Sequence, residues 1–265
     1  MALTEKLTIT HIELTTVKPE ITIREYATER EAARATAQTI LSTVIHKPDA
    51  VIMFPTGQTQ IPVYEELASL AQETCVDFSK IQAFHLDEYI GVTPEDNESF
   101  VGFLRTRVFD PLHIPFENRH EIDGMAPDPQ AEVKRYNDLI KTHPIDLVIL
   151  GIGPNGHIGF NEPNTPFDKE THVATLSQEV LDRDEQRGQQ PLTFAYTAGI
   201  ANILSAKQIL ILGFGEDKGK QFDNAFNNPP TIQCPASALQ RVSNRVTAIM
   251  DKPAAAIVNA GKQTK

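Results

Sequence analysis

The chain has no tryptophan, two cysteines, no excess of basic residues and no long apolar run. Cys75 and Cys234 are too few for a secreted disulfide framework, so reduced thiols in a cytoplasm are expected. Lys and Arg number 24 against 35 Asp and Glu, and the net charge of -11 repels nucleic acid and anionic membranes. No segment approaches the roughly 20 apolar residues of a membrane span, and residues 1–18 lack the apolar core of a secretion signal. The expectation is a soluble cytoplasmic protein with neither a nucleic-acid nor a membrane partner. The same acidity repels a phosphorylated substrate, which would need a local pocket rich in N–H groups or cations.

What is present is ordinary globular usage: 40% hydrophobic and 22% charged over 265 residues, enough for one large domain with a substantial core. A single domain over 1–265 is expected, with residues 1–24 as an edge strand or an ordered arm. Thr28 and Glu31 form a capping box ahead of an apolar stripe through Ala33, Ala37, Ile40, Leu41 and Val44, which Pro48 stops. Residues 50–54 are a short apolar run of the kind found in buried parallel strands. Pro62 opens a second helix. Further strands are expected at 81–84, 145–150, 192–196, 209–212 and 246–250. Further helices are expected near 98–109, 130–141, 198–204 and 218–226. Strands separated by helices of this length imply right-handed crossovers. The fold class is therefore α/β, a modified Rossmann-like, mainly parallel sheet with helices on both faces. In such sheets ligands sit beyond the carboxyl ends of the strands.

Three strand exits carry chemistry. The first is PTGQT at 55–59. Gly57 permits close backbone approach, and the hydroxyls of Thr56 and Thr59 join the N–H groups of the following helix as a plausible phosphate cradle. Its plainer reading is an ordinary βα turn. The second is FHLDEY at 84–89. If strand alternation persists, His85 and Asp87 share a face and Glu88 points away. A carboxylate closed in a pocket can rise toward neutrality and accept a proton. The third is GIGPNGHIGFNEP at 151–163. It contains a literal G-x-G-x-x-G, but Gly159, Pro163 and Pro166 oppose the helix that a nicotinamide site requires. What remains is a glycine-rich loop bearing Asn155, His157, Asn161 and Glu162. A histidine beside a carboxylate is an acid/base pair near neutral pH. Residues 161–171 are a candidate lid. The spacing of His85, Asp87, His157 and Glu162 matches no helix-borne ligand set, so no metal is expected. A fourth element, GFGEDKGK at 213–220, places Lys218 or Lys220 at a helix start, where a bound anion would favour a lysine.

PTGQT, FHLDEYIGV, GIGPNGHIGFNEP and GFGEDKGK occur in the order seen in the glucosamine-6-phosphate deaminase/isomerase family, and the chain resembles that family over residues 49–251. The resemblance implies ring opening, C2 proton abstraction and aldose–ketose isomerisation with loss of ammonia, without a cofactor. It implies Asp87 as the base, His157 as the ring-opening residue and Glu162 as its carboxylate partner, with Asn155 orienting the imidazole. Thr56, Gly57, Gln58, Thr59 and Lys218 would hold the phosphate, with Arg183 or Arg187 as a second cation. Asn155 stands where many members have aspartate, and His85 where an amide is common. The galactosamine epimer and a non-catalytic sugar-phosphate sensor stay as alternatives. A small-molecule sugar phosphate is the expected partner, and a homo-oligomer is compatible with the sequence.

Overall fold

The computed structural model describes residues 20–176 and 192–263. Its centre is a parallel sheet whose strands are β1 (Thr22–Tyr26), β2 (Val51–Phe54), β3 (Gln82–His85), β5 (Arg119–His120), β6 (Leu147–Gly151), β9 (Gln208–Gly213) and β10 (Val246–Asp251). They lie in the order β1-β10-β9-β6-β2-β3-β5. Residues 1–19 of the segment read as an arm or edge strand fall outside the described residues; Thr22–Tyr26 pairs with β10 at the end of the sheet.

Alternation along the central strands fills two cores, one on each face. Met53, Val148, Leu150, Ile209 and Ile211 point into one. Ile52, Phe54, Ile149, Leu210 and Leu212 point into the other. Burial on both faces is why these strands read as unbroken apolar runs. Helices α1 (Glu29–His46) and α2 (Ile61–Thr74) contribute apolar side chains to the second core. Helices α4 (Pro129–Thr142), α5 (Ile200–Ser205), α6 (Gly215–Phe226) and α7 (Lys252–Gln263) contribute to the first. The Thr28 hydroxyl accepts from Glu31 N–H as expected, while the Glu31 carboxylate reaches back to Ala27 N–H.

Two expectations need correction. The strand read at 192–196 is β8 (Phe194–Thr197), and it belongs to a second sheet, antiparallel, in the order β4-β8-β7 with β4 (Asp87–Tyr89) and β7 (His172–Thr175). The chain changes sheet at Leu86, whose N–H donates to Phe54 in the main sheet and whose carbonyl accepts from Ala198 beside β8. The helix read at 98–109 is only α3 (Phe100–Leu104), continued by a π-helical turn over Arg105–Phe109.

Where the sheets part, the Tyr136 hydroxyl donates to the His85 carbonyl at 2.6 Å and accepts from its N–H at 3.0 Å, fully buried. Tyr136→Phe leaves both backbone groups without this partner and is expected to cost about 2 kcal/mol. Urea denaturation at unchanged m-value checks it.

Candidate active site

The loops leaving β2, β3 and β6 meet at the point where the strand order reverses, with β3 and β5 added on one side of β2 and β6, β9 and β10 on the other. They enclose a cleft of about 360 Å³, placed as the topology of parallel sheets dictates. Thr56, Gly57, Gln58, Thr59 and Lys218 all line it, as do Asp87 and His157. Asn155 and Glu162 stand behind His157 rather than on the wall.

Gly57 has φ of 116°, a conformation that suits glycine, and caps the short turn Gln58–Gln60 that leads into α2. Gln60 N–H closes the turn onto the Gly57 carbonyl at 3.1 Å, and Ile61 N–H onto that of Gln58; the N–H groups ahead of them, at the opening of a helical turn, are suited to an anion. Lys218 lies one turn inside α6, which begins at Gly215, three residues before the expected start. Gly215 has φ of 80°, and its N–H donates to both oxygens of Asp251 at 2.9 and 3.0 Å. The Lys218 ammonium donates to the Ile152 carbonyl at 2.6 Å, crossing from α6 to the loop after β6.

That loop folds back on itself at Gly156 (φ 81°) and Gly159 (φ 58°). The reversal groups three side chains. His157 Nδ1 lies 2.9 Å from Asn155 Oδ1 and 3.3 Å from Glu162 Oε1. Asn155 Nδ2 donates to Glu162 Oε2 at 2.7 Å, and its Oδ1 also accepts from His157 N–H at 3.1 Å. Glu162 Oε1 has no aligned donor among the described residues, so its approach to Nδ1 is a charge contact. With the Asn155 amide oxygen accepting at Nδ1 and the Glu162 carboxylate beside it, the neutral ring carries its proton there, and Nε2 is the nitrogen suited to take up a proton.

Asp87 is buried, and in register it faces Thr197 of β8. Burial first, and then the charge of Glu88, push its carboxyl from 3.8 up to about 8. Such a group is a stronger base than an exposed aspartate.

His85 does not join Asp87 in the cleft, contrary to the alternation argument. Its Nδ1 donates to the Asp87 carbonyl at 2.9 Å and its Nε2 accepts from Ile122 N–H at 2.9 Å. Burial holds it neutral, its value lowered to about 4. Both ring nitrogens are engaged by backbone, so His85 is not placed for proton transfer in the cleft.

Residues 161–171, the expected lid, do not line the cleft; Asn164 N–H is tied to the Ile232 carbonyl at 2.8 Å. The wall comes instead from residues 97–100 and Phe103. The sequence also gave no sign of Gln60, whose buried amide lines the cleft with neither polar atom partnered among the described residues. Arg183 and Arg187 lie outside the described residues. Among those residues no group of three or more His, Cys, Asp or Glu is arranged for a metal.

A family model for glucosamine-6-phosphate isomerases and 6-phosphogluconolactonase matches residues 24–248. Glucosamine-6-phosphate deaminase of Streptococcus thermophilus is 42% identical over 205 residues, 76% of this chain and 84% of that protein. The deaminase of Clostridium novyi is 38% identical over 229 residues, covering 85% and 95%. The solved structure of a monomeric glucosamine-6-phosphate deaminase superposes with a TM-score of 0.85 at 33% identity, covering 89% of this chain and all of that one. A 6-phosphogluconolactonase from Trypanosoma brucei shares the fold, with a TM-score of 0.72 at 19% identity over 90% of this chain and 98% of that one.

Proposed function

The chain belongs to the family of glucosamine-6-phosphate isomerases and 6-phosphogluconolactonases, and we propose that it is a deaminating isomerase, converting glucosamine 6-phosphate and water to fructose 6-phosphate and ammonia. The observation that carries this reading is the pairing, in one cleft, of a buried carboxyl made basic by its surroundings with an imidazole whose Nδ1 is fixed by the Asn155 amide oxygen beside the Glu162 carboxylate. Aldose–ketose isomerisation needs these two centres. His157 Nε2 takes the proton of the C1 hydroxyl and returns it to the ring oxygen, opening the pyranose. Asp87 takes the C2 proton while the C1 carbonyl oxygen gains one from the substrate's own ammonium group, giving an enolamine, and Asp87 then delivers its proton to C1. Water adds to the resulting C2 imine, and ammonia leaves. Asn155 and Glu162 hold the imidazole and stabilise its cationic form. No step requires a cofactor.

The phosphate is assigned to the loop of Thr56, Gly57, Gln58 and Thr59, with Lys218 as its cation. Lys218→Ala is expected to raise KM about tenfold or more while changing kcat less; steady-state kinetics, with inorganic phosphate as a weakened competitor, checks this.

Among the described residues no helix is long and apolar enough to cross a membrane. We place the enzyme in the cytoplasm, a reading supported by its free thiols Cys75 and Cys234. All the groups assigned above come from one chain, so the reading does not require a homo-oligomer. The test is ammonia release from glucosamine 6-phosphate and galactosamine 6-phosphate side by side, without added metal or nucleotide. Faster release from the glucosamine epimer is expected; release from neither by folded protein overturns the reading.

A further inference from the structure

Glu88 adjoins the reactive carboxyl yet lies outside the cleft lining. It is 1% exposed. Its two oxygens accept four hydrogen bonds. Oε1 takes Tyr89 N–H at 2.9 Å and Phe100 N–H at 3.0 Å. Oε2 takes the Ser99 hydroxyl at 2.7 Å and Val101 N–H at 2.8 Å. An ionised carboxylate is an acceptor only, with about four lone-pair sites, and these donors fill them. A protonated Glu88 would have to give one up, so the four donors favour the anion and oppose the upward push that burial, the larger effect, puts on this carboxyl.

Three of the four donors belong to residues 99–101, part of the segment that forms the wall of the cleft. That wall has little structure of its own. Helix α3 is five residues long, too short to persist alone in water. Ser99 caps it by accepting from Gly102 N–H at 3.1 Å. Phe100 stacks on Phe160 and packs on Tyr89, with ring centroids 5.9 and 4.8 Å away. The polar fastening from the wall back to β4 runs through Glu88.

Resting on the functional reading above, we infer that Glu88 is a positioning residue of this site: its buried carboxylate holds the 97–103 wall in register with the strand that carries Asp87, and presents a fixed negative charge behind that carboxyl. The next residue on a strand points to the opposite face, so Glu88 can do both without touching substrate. Its charge is the second cause, after burial, of the raised value of Asp87. The other titratable groups around Asp87 are the phenols of Tyr64 and Tyr136, on α2 and α4, and the cleft residues His157, Lys218 and Glu98. None of these is altered by changing Glu88.

Two variants separate the roles. Glu88→Gln keeps the shape, removes the charge and leaves at least one donor unmatched. Glu88→Asp keeps the charge but shortens the reach. Two readouts are taken on the resting protein, so they decide the inference even if no amino-sugar phosphate is turned over. One is amide hydrogen exchange at Phe100 and Val101. The other is titration of the Asp87 carboxyl carbon by NMR. In Glu88→Gln, exchange at both amides is expected to rise about tenfold or more, and the Asp87 midpoint to move to lower pH. In Glu88→Asp, exchange is expected to rise while the midpoint stays near the wild-type value. In the enzyme assay, Glu88→Gln shifts the acid limb of kcat/KM to lower pH; a purely structural role would leave that limb in place. Unchanged exchange in both variants, or an unmoved midpoint in Glu88→Gln, overturns the inference. Should Glu88→Gln not fold, Ser99→Ala removes one donor and keeps the charge. Faster exchange at Phe100 and Val101 then supports the anchoring role, and no change there removes it.

Discussion

Replacing Asp87 by asparagine is expected to lower ammonia release by about three orders of magnitude and, at the same time, to make the protein harder to unfold. Asparagine has nearly the same shape but cannot accept the C2 proton. The stability gain follows from the same burial that makes Asp87 a base. Its carboxyl goes from an ordinary value of 3.8 to about 8 in the folded protein. A group raised on folding contributes stability that is fully present below its unfolded value and is lost as pH rises through its folded value. Wild-type stability therefore declines on account of Asp87 between about pH 4 and pH 8, and the asparagine variant escapes that decline. His85, kept neutral by burial, is present in both proteins and its contribution cancels in the difference. The checks are turnover and thermal midpoints at about pH 5 and about pH 9, where the gap between variant and wild type should widen toward high pH. A variant that keeps most of its turnover removes Asp87 as the base. A gap that does not change with pH removes the buried-ionisation argument.

The double character of Asp87 also shows what could be read from sequence. The 50–54, 145–150, 209–212 and 246–250 runs were legible because a strand buried on both faces is apolar at nearly every position; Asp146 and Thr247 are the exceptions in these four. The loops that follow were legible because glycine and proline fix where a helix cannot start. The β4-β8-β7 sheet was not. β4 is three residues long, and its pairing with Thr197 depends on a partner more than a hundred positions away. The same blindness produced the misreading of His85. Alternation predicts a shared face with Asp87 only along one continuous strand, and Leu86 is where the chain leaves one sheet for the other.

The His157 grouping was half legible. Asn155, His157 and Glu162 could be picked out by residue type, but their convergence on one ring nitrogen is made by the turns at Gly156 and Gly159. The Glu88 anchor left no mark, because its partners lie eleven to thirteen positions downstream and two of the three are backbone groups. The start of α6 was read late for a related reason: Asp251, on another strand, binds the N–H of its first residue.

Gly153→Ala tests how tightly the imidazole must be held. A Cβ at Gly153 would lie 2.1 Å from His157 Nε2, 2.2 Å from Cε1 and 2.4 Å from Cδ2, so the ring rests flat against the glycine. Gly153 is not among the positive-φ residues, and alanine suits its backbone. The loop cannot simply slide away, because Gly153 N–H donates to the His157 carbonyl at 2.9 Å and Gly156 N–H to the Gly153 carbonyl at 3.0 Å. The ring must therefore swing, giving up its contacts with Asn155 and Glu162. Displacing a catalytic group by about 1 Å can cost about a hundredfold, and a loss of that size or more in kcat/KM is expected. Binding of inorganic phosphate to the Thr56–Thr59 loop should be unchanged, which separates ring displacement from general collapse. The sharper check is a double-mutant cycle with His157→Ala. If Gly153 acts through the imidazole, adding Gly153→Ala to His157→Ala costs almost nothing further. If the two losses multiply, the loop itself and not the ring carries the effect, and the assignment of His157 as the ring-opening group loses its geometric basis.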